Sequence, residues 1–154
     1  MSLITMPARV YQFTVLQTGK VAHLFNLAVR LYIANVFLKA GLTKIQSWGT
    51  TLQLFENEYA VPILPPELAA YLGTAAELLL PALLVLGLAA RPAALALFLF
   101  NMVAVISYPD ISEAGVKDHV FWGWMIAVIF FYGAGKLSAD AWLRHKIDRM
   151  PNRP

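Results

Sequence analysis

From Val21 to Gln46 the chain reads VAHLFNLAVRLYIANVFLKAGLTKIQ, an apolar helix-forming run that carries Arg30, Asn35, Lys39 and Lys44. About 20 apolar residues are enough to cross the roughly 30 Å hydrocarbon layer of a bilayer as one helix. A charge deep in hydrocarbon is costly, so the basic residues must find protein or water. At about 100° per residue, Arg30, Ala34, Phe37, Gly41 and Lys44 share one face, while Asn35 and Lys39 share another. The small residues Ala34 and Gly41 on the first face allow a second helix to approach closely. Lys44, near the helix end, has a side chain long enough to snorkel to the interface. The rest of the chain has to surround this helix and supply an acidic partner, for which Glu77 is the candidate.

Composition says what that surrounding is. Of 154 residues, 59% are hydrophobic and 14% charged, where soluble domains carry about 25% charged residues. With a mean hydropathy of +0.62, the chain is expected to be a multi-pass membrane protein without a sizeable soluble domain. There is no cysteine, which excludes disulfide exchange, thiolate catalysis and iron–sulfur ligation by its own residues. Nucleic acid is not an expected partner, the lipid bilayer is, and a homo-oligomer is left open.

In chain order, residues 1–20 are mixed and lack the apolar core of a signal peptide; the part from Val10 to Leu16 is expected to lie on the membrane surface. The first span covers about 21–44. In residues 47–66, Trp48, Leu52, Phe55 and Tyr59 fall on one side of a short amphipathic helix, and Val61-Pro62-Ile63-Leu64-Pro65-Pro66 forces an extended path. The segment reads as a cap, either merely packed or serving as a ligand lid. The second span, 67–90, places Ala70, Gly73, Thr74, Glu77 and Pro81 on one face, with a bend expected near Glu77. The third, 92–108, has Ala94, Asn101 and Tyr108 at intervals of seven. The fourth, 119–136, aligns His119, Gly123, Ile126, Phe130 and Gly133, and Ser138 is a candidate N-cap for a terminal surface helix. This gives an all-α integral membrane four-helix bundle with short interfacial helices: an N-terminal cytoplasmic segment (1–20), a transmembrane domain (21–137) and a basic tail (138–154).

Charge sets the orientation. Arg9, Lys20, Arg91, Lys136, Arg144, Lys146, Arg149 and Arg153 fall on one side of this topology. Glu56, Glu58, Glu67, Asp110, Glu113 and Asp118 fall on the other, with Lys117. The excess of basic residues predicts both termini in the cytoplasm. Counting about 1.5 Å per residue, Arg30 lies in the inner half of the membrane, Lys39 in the outer half and Glu77 near the middle. Arg30 is the preferred partner for Glu77, because a guanidinium can grip a carboxylate with two parallel hydrogen bonds. Such a pair has three readings: a register-fixing ion pair, a polar site for a headgroup, quinone or anion, or a proton or ion path. His119, beside Asp118, reads as an interfacial histidine. His23 and His145 belong to the other side, so the three cannot share a metal or haem. Gly133-Ala134-Gly135-Lys136 lacks the spacing of a phosphate loop. No catalytic, metal or cofactor motif stands in the chain.

Arg30 followed by Phe37-Leu38 and Gly41-Leu42-Thr43-Lys44 resembles the first-helix pattern of the DoxX family. Ala75-Ala76-Glu77-Leu78 with Leu86-Gly87, then Arg91-Pro92-Ala93-Ala94 and Gly133-Ala134-Gly135-Lys136-Leu137-Ser138-Ala139-Asp140, are similar to its later patterns, so that the resemblance covers about residues 27–141. It implies a four-helix protein of the bacterial inner membrane. Relatives include the membrane subunit of thiosulfate:quinone oxidoreductase and proteins associated with soluble sulfur-transfer and superoxide-detoxifying partners. The segment 58–68 resembles a subgroup found near small secreted metal-binding peptides and the enzymes that modify them. The chain is therefore expected to be an accessory or anchor subunit of a redox- or metal-stress-linked system, with a soluble redox or metal-peptide-processing partner. The alternative is a membrane subunit of a quinone-linked oxidoreductase, with a quinone or anion at the buried charges. Arg30, Lys44 and Glu77 are the first candidates for a polar interior site, and Lys39, Asn101 and His119 the second.

Overall fold

A computed structural model describes residues 5–149. Among these there are six helices and no strand: α1 (Thr5–Gln46), α2 (Trp48–Asn57), α3 (Pro66–Leu86), α4 (Ala90–Ile106), α5 (Glu113–Tyr132) and α6 (Ala139–Asp148). Residues 21–46 of α1, together with α3 and α5, are long and apolar enough to cross a membrane, and α4 is a shorter apolar helix of 17 residues. The chain is a membrane helical bundle. α1 packs on α3, α3 on α4, α4 on α5, and α5 closes back on α1.

Each helix buries the face its small and polar residues mark. Arg30, Ala34 and Phe37 are buried on α1, with Gly41 beside them, and so are Ala70, Thr74, Glu77 and Pro81 on α3. Between them lies a core of Val29, Ile33, Phe37, Leu84, Ala93, Ala94, Leu97, Ile126 and Ile129. α1 and α3 approach closely at Gly41. A Cβ there would stand 2.9 Å from Leu78 Cδ2 and 3.0 Å from Glu77 Cβ, so only glycine lets α1 lie against α3 at the level of Glu77. Large apolar side chains such as Leu79, Leu99 and Phe131 point outward, as expected where lipid is the solvent.

Several boundaries differ from expectation. Residues 10–16, expected on the membrane surface, are continuous with α1, whose 42 residues make a helix about 63 Å long, twice the hydrocarbon thickness. α3 ends at Leu86 because Gly87 takes a left-handed conformation (φ +63°) and caps it. A Cβ on Gly87 would sit 2.6 Å from Arg30 Nη1 and 2.5 Å from Ser138 Cβ. α4 starts two residues before Pro92, and α5 starts at Glu113, six residues before His119, where Ser112 Oγ accepts a hydrogen bond from the Gly115 amide at 3.1 Å. α3 runs on through Pro81; the proline ring removes the N–H that would have bonded the Glu77 carbonyl. Ser138 caps α6 as expected, accepting from the Ala141 amide at 3.2 Å. Arg153, counted in the basic tail, lies outside the described residues.

Two ends of the bundle are tied in different ways. At one, the α3–α4 turn, the end of α5 and the start of α6 form a knot. The Asp140 carboxylate accepts from the Ala89 and Ala90 amides at the start of α4 (2.8 and 2.9 Å), and the Asp140 amide donates to the Gly87 carbonyl at 3.0 Å. Asn26 Nδ2 donates to the Gly133 carbonyl at 2.9 Å. At the other end, α2 and the proline segment fold over the bundle. Phe55, Ala69 and Ala70 form a small core with Trp48, Leu52, Tyr59 and Val61, and the Ala60 amide donates to the Ser107 carbonyl at 2.7 Å.

Candidate functional site

The buried charges form two separate arrangements, and neither is the expected Arg30–Glu77 pair. Arg30 is fully buried at the knotted end. Its Nη1 donates to the Leu84 carbonyl at 2.9 Å and the Val85 carbonyl at 3.3 Å, its Nη2 to the Leu137 carbonyl, and its Nε to Asn26 Oδ1 at 3.2 Å. Leu84 and Val85 lie in the last turn of α3, which carries the negative end of the helix dipole and is short of backbone donors; the Gly87 amide reaches the Leu84 carbonyl at 3.1 Å. The planar fork of a guanidinium satisfies them from a single side chain. Arg30 is thus a helix-end clamp remote from Glu77.

Glu77 pairs instead with Lys44. The Lys44 ammonium lies 2.7 Å from both carboxylate oxygens, and the side chains are 17% and 10% exposed. Lys44 does not snorkel outward; its ammonium is taken by Glu77, whose Cβ lies against Gly41 of α1. Thr51 holds the same corner, its hydroxyl donating to the Lys44 carbonyl at 3.0 Å. Lys39, by contrast, is exposed on the outside of α1, and its carbonyl accepts from Thr43; it does not join the cluster.

The Lys44–Glu77 pair forms part of the wall of a partly open cavity of about 510 Å³ bordered by α1, α3, α4, α5 and the α2 cap. Most of the lining is apolar: Val36, Phe37, Phe55, Leu72, Phe100, Val103 and Trp122 among others. Its polar groups are Lys44, Glu77, Tyr59, Ser107, Tyr108 and His119. Ser107 Oγ is buried with no hydrogen-bond partner, as is Thr74 Oγ1 one turn from Glu77. Buried hydroxyls are ordinarily satisfied, and an orphan on a cavity wall is a place for a ligand atom or water. Tyr59 stacks edge-on between Phe55 (4.9 Å) and Tyr108 (5.3 Å). Burial first, and then the Glu77 carboxylate, push its phenol above the ordinary value, so Tyr59 is a neutral donor.

His119 and Asn101 are joined. Asn101 Nδ2 donates to the His119 carbonyl at 2.9 Å, and Asn101 Oδ1 lies 2.7 Å from His119 Nδ1. The ring meets Trp122 edge-on at 4.8 Å. Asn101 also lines a second hollow of about 570 Å³ between α4 and α5, and His119 borders both spaces. His23 is at the opposite end, near Gly135. Among the described residues no three His, Asp or Glu side chains gather as a metal set would.

Of the six residues picked from sequence, the structure brings Lys44, Glu77 and His119 to one cavity, with Asn101 behind His119. It leaves Arg30 and Lys39 elsewhere. Ser107 and Tyr59 were missed as site residues. Tyr59 stood on the amphipathic stripe of the cap, but a lone serine at a helix end carries no sequence signal.

This is a largely pre-formed, apolar space with a few convergent polar groups, the usual form of a small-molecule site. No curated protein and no solved structure matches the chain significantly. The family model described as DoxX matches residues 25–109, more than half of the sequence and the part that contributes Arg30, Lys44, Glu77, Asn101 and Ser107, and the chain belongs to the DoxX family.

Proposed function

We propose that this protein is an accessory or anchor subunit of a redox- or stress-linked system in the bacterial inner membrane, and that its cavity holds a neutral, apolar-bodied molecule of the quinone class. The observation that carries the reading is the charge balance of the cavity wall. Lys44 and Glu77 are its charged residues, and they neutralise each other at 2.7 Å. An anion brought into that space would find its cation already taken and would bear the full desolvation penalty. A neutral head meets Ser107 and Tyr59 as hydrogen-bonding groups, and the apolar lining suits a ring and its tail. Between a quinone and an anionic group, the geometry therefore favours the quinone.

The chain crosses the membrane four times in this reading, α4 being the short span: 17 residues at about 1.5 Å each reach about 26 Å. Arg91, Lys136, Arg144, Lys146 and Arg149 sit at the knotted end. Glu56, Glu58, Glu67, Asp110, Glu113 and Asp118 sit at the capped end. The positive-inside rule supports a cytoplasmic knot and an outward-facing cap. α6 then offers the cytoplasm an exposed surface of Trp142, Leu143 and Ile147 with Lys146 over the Trp142 ring, suited to a soluble redox or metal-peptide-processing partner.

Purification of the full chain in mild detergent, followed by mass spectrometry of bound proteins and small molecules, tests both halves. A quinone-class molecule and a soluble partner are expected, with the partner lost when Arg144–Pro154 is removed and the small molecule retained. A chain that carries an anionic ligand, or that holds the same partner without its tail, contradicts the corresponding half.

A further inference from the structure

Building on the reading of the cavity as a binding site for a neutral molecule, we infer that Asn101 fixes the tautomer of His119 so that the imidazole presents a bare Nε2 acceptor to the ligand, and that the site therefore selects a head that donates a hydrogen bond, a phenol or hydroquinone, over one that can only accept.

The argument begins with what each group can do. A backbone carbonyl only accepts, so the Asn101 atom 2.9 Å from the His119 carbonyl must be the amide nitrogen. That leaves Asn101 Oδ1, which only accepts, facing His119 Nδ1 at 2.7 Å. A close contact between two acceptors would be repulsive, so Nδ1 carries the proton. In a neutral imidazole the other nitrogen is then an acceptor. One asparagine thus holds both the backbone and the ring of the same residue. Asn101 is 4% exposed and has no room to turn its amide over without losing both bonds.

The placement of the ring leaves the acceptor available to a ligand. Asn101 lines the hollow between α4 and α5 and not the main cavity, while His119 borders both. Nδ1 is the ring nitrogen held by Asn101, and Nε2 is the nitrogen left to serve the spaces the ring borders, of which the main cavity carries the other polar groups. Trp122, edge-on at 4.8 Å, limits rotation of the ring. Among the described residues Nε2 has no protein partner. Ser107, the buried hydroxyl without a partner, lines the same cavity and can serve either form of a ligand, because a hydroxyl both donates and accepts. His119 serves only a donor, and the preference follows from it.

The test uses a pair of ligands that differ in whether the oxygen can donate, a methyl group replacing the hydroxyl hydrogen: para-octylphenol and its methyl ether, para-octylanisole, titrated into the full-length protein in nanodiscs. The wild type is expected to bind the phenol about tenfold more tightly than the ether, the range of one neutral hydrogen bond made in an apolar site. In His119→Phe, which keeps an aromatic ring and loses the acceptor, the two affinities should converge. In Asn101→Leu the ring is released from its tautomer and the preference should shrink. ¹⁵N spectra of histidine-labelled protein report the tautomer directly, with Nδ1 protonated and Nε2 bare in the wild type. Equal binding of phenol and ether by the wild type overturns the inference and leaves the cavity reading standing. Binding of neither ligand overturns the cavity reading and the inference with it. A ring protonated on Nε2 in the wild type overturns the inference whatever the affinities.

Discussion

Arg30→Met is expected to prevent accumulation of folded protein, and this should be the largest effect of any single substitution in the bundle. The fully buried guanidinium donates to the carbonyls of Leu84, Val85 and Leu137 and to Asn26. Methionine keeps an unbranched apolar stem, stops short of the guanidinium and has none of the donors. The Leu84 carbonyl keeps the Gly87 amide as a donor, but those of Val85 and Leu137 lose the guanidinium; each carbonyl left unsatisfied out of reach of water costs about 1–3 kcal/mol, and the loss should total about 3–5 kcal/mol. That is comparable with the whole stability of a small domain, about 5–15 kcal/mol. Where folded protein can be recovered, its thermal midpoint should fall by about 10 °C, at a few degrees per kcal/mol. Arg30→Lys should fall between the two, because one ammonium cannot span all four acceptors. Fluorescence-detected size exclusion and a melting curve check this. A monodisperse Arg30→Met protein with an unchanged midpoint would show that the clamp stabilises nothing.

The second large effect is at Glu77. Glu77→Gln removes the charge that holds Lys44 and leaves an ammonium turned toward an apolar cavity. Breaking a buried pair by removing one partner costs about 3–5 kcal/mol. Here the penalty should be smaller, because Lys44 is two residues from the end of α1 and can swing outward to the interface; about 2 kcal/mol is the expected loss. The double variant Lys44→Met/Glu77→Leu replaces the pair with apolar side chains and should recover most of the stability. The coupling between the two sites should thus be about 2 kcal/mol, in the range measured for contacting residues. Additive losses in the double variant would mean that the pair is not an energetic unit.

These two expectations differ in kind, although both residues were first singled out for the same reason. The face that carries Arg30, Ala34, Phe37, Gly41 and Lys44 was legible, because helical periodicity decides it and the bundle buries that face. The face of α3 with Glu77, the Ser138 cap and the burial of Asn101 were legible on the same ground. The partners were not. Lys44 was read as snorkelling from the helix end, and Arg30 was preferred for the two-pronged grip of its guanidinium, but a lysine side chain is long enough to reach a carboxylate on the neighbouring helix instead. Arg30 took backbone carbonyls, and an acceptor that every residue possesses leaves no trace in a sequence pattern. The glycine at 87 explains both the early end of α3 and the room for the guanidinium, since a Cβ there would stand 2.6 Å from Arg30 Nη1. Nothing in the sequence marked it as a seat for Arg30.

The cavity itself was the least legible feature. Val36, Ala40, Gly73, Ala76 and Ala104 are small or medium residues that a sequence reading assigns to helix packing, and together they leave space. The cap of α2 and the proline segment was anticipated as either packing or a lid. Phe55 and Tyr59 turn out to belong to a small core and to the cavity lining at once. The hydrogen-bond vacancy at Ser107 needs three dimensions to appear, since it arises from what fails to approach the hydroxyl.

The central claim, that the space around Lys44, Glu77, Ser107 and His119 binds a neutral quinone-class molecule, is tested most directly by photolabelling. Membranes containing the protein are irradiated with an azido-quinone, and the adducts are mapped by peptide mass spectrometry with and without an excess of unlabelled quinone. The account predicts adducts on cavity-lining residues such as Tyr59, Phe100 and Tyr108, competed away by the unlabelled compound and abolished when Ala104→Trp fills the space. Labelling confined to lipid-facing residues such as Leu79, Leu99 and Phe131, unaffected by competitor or by the filled cavity, would contradict it.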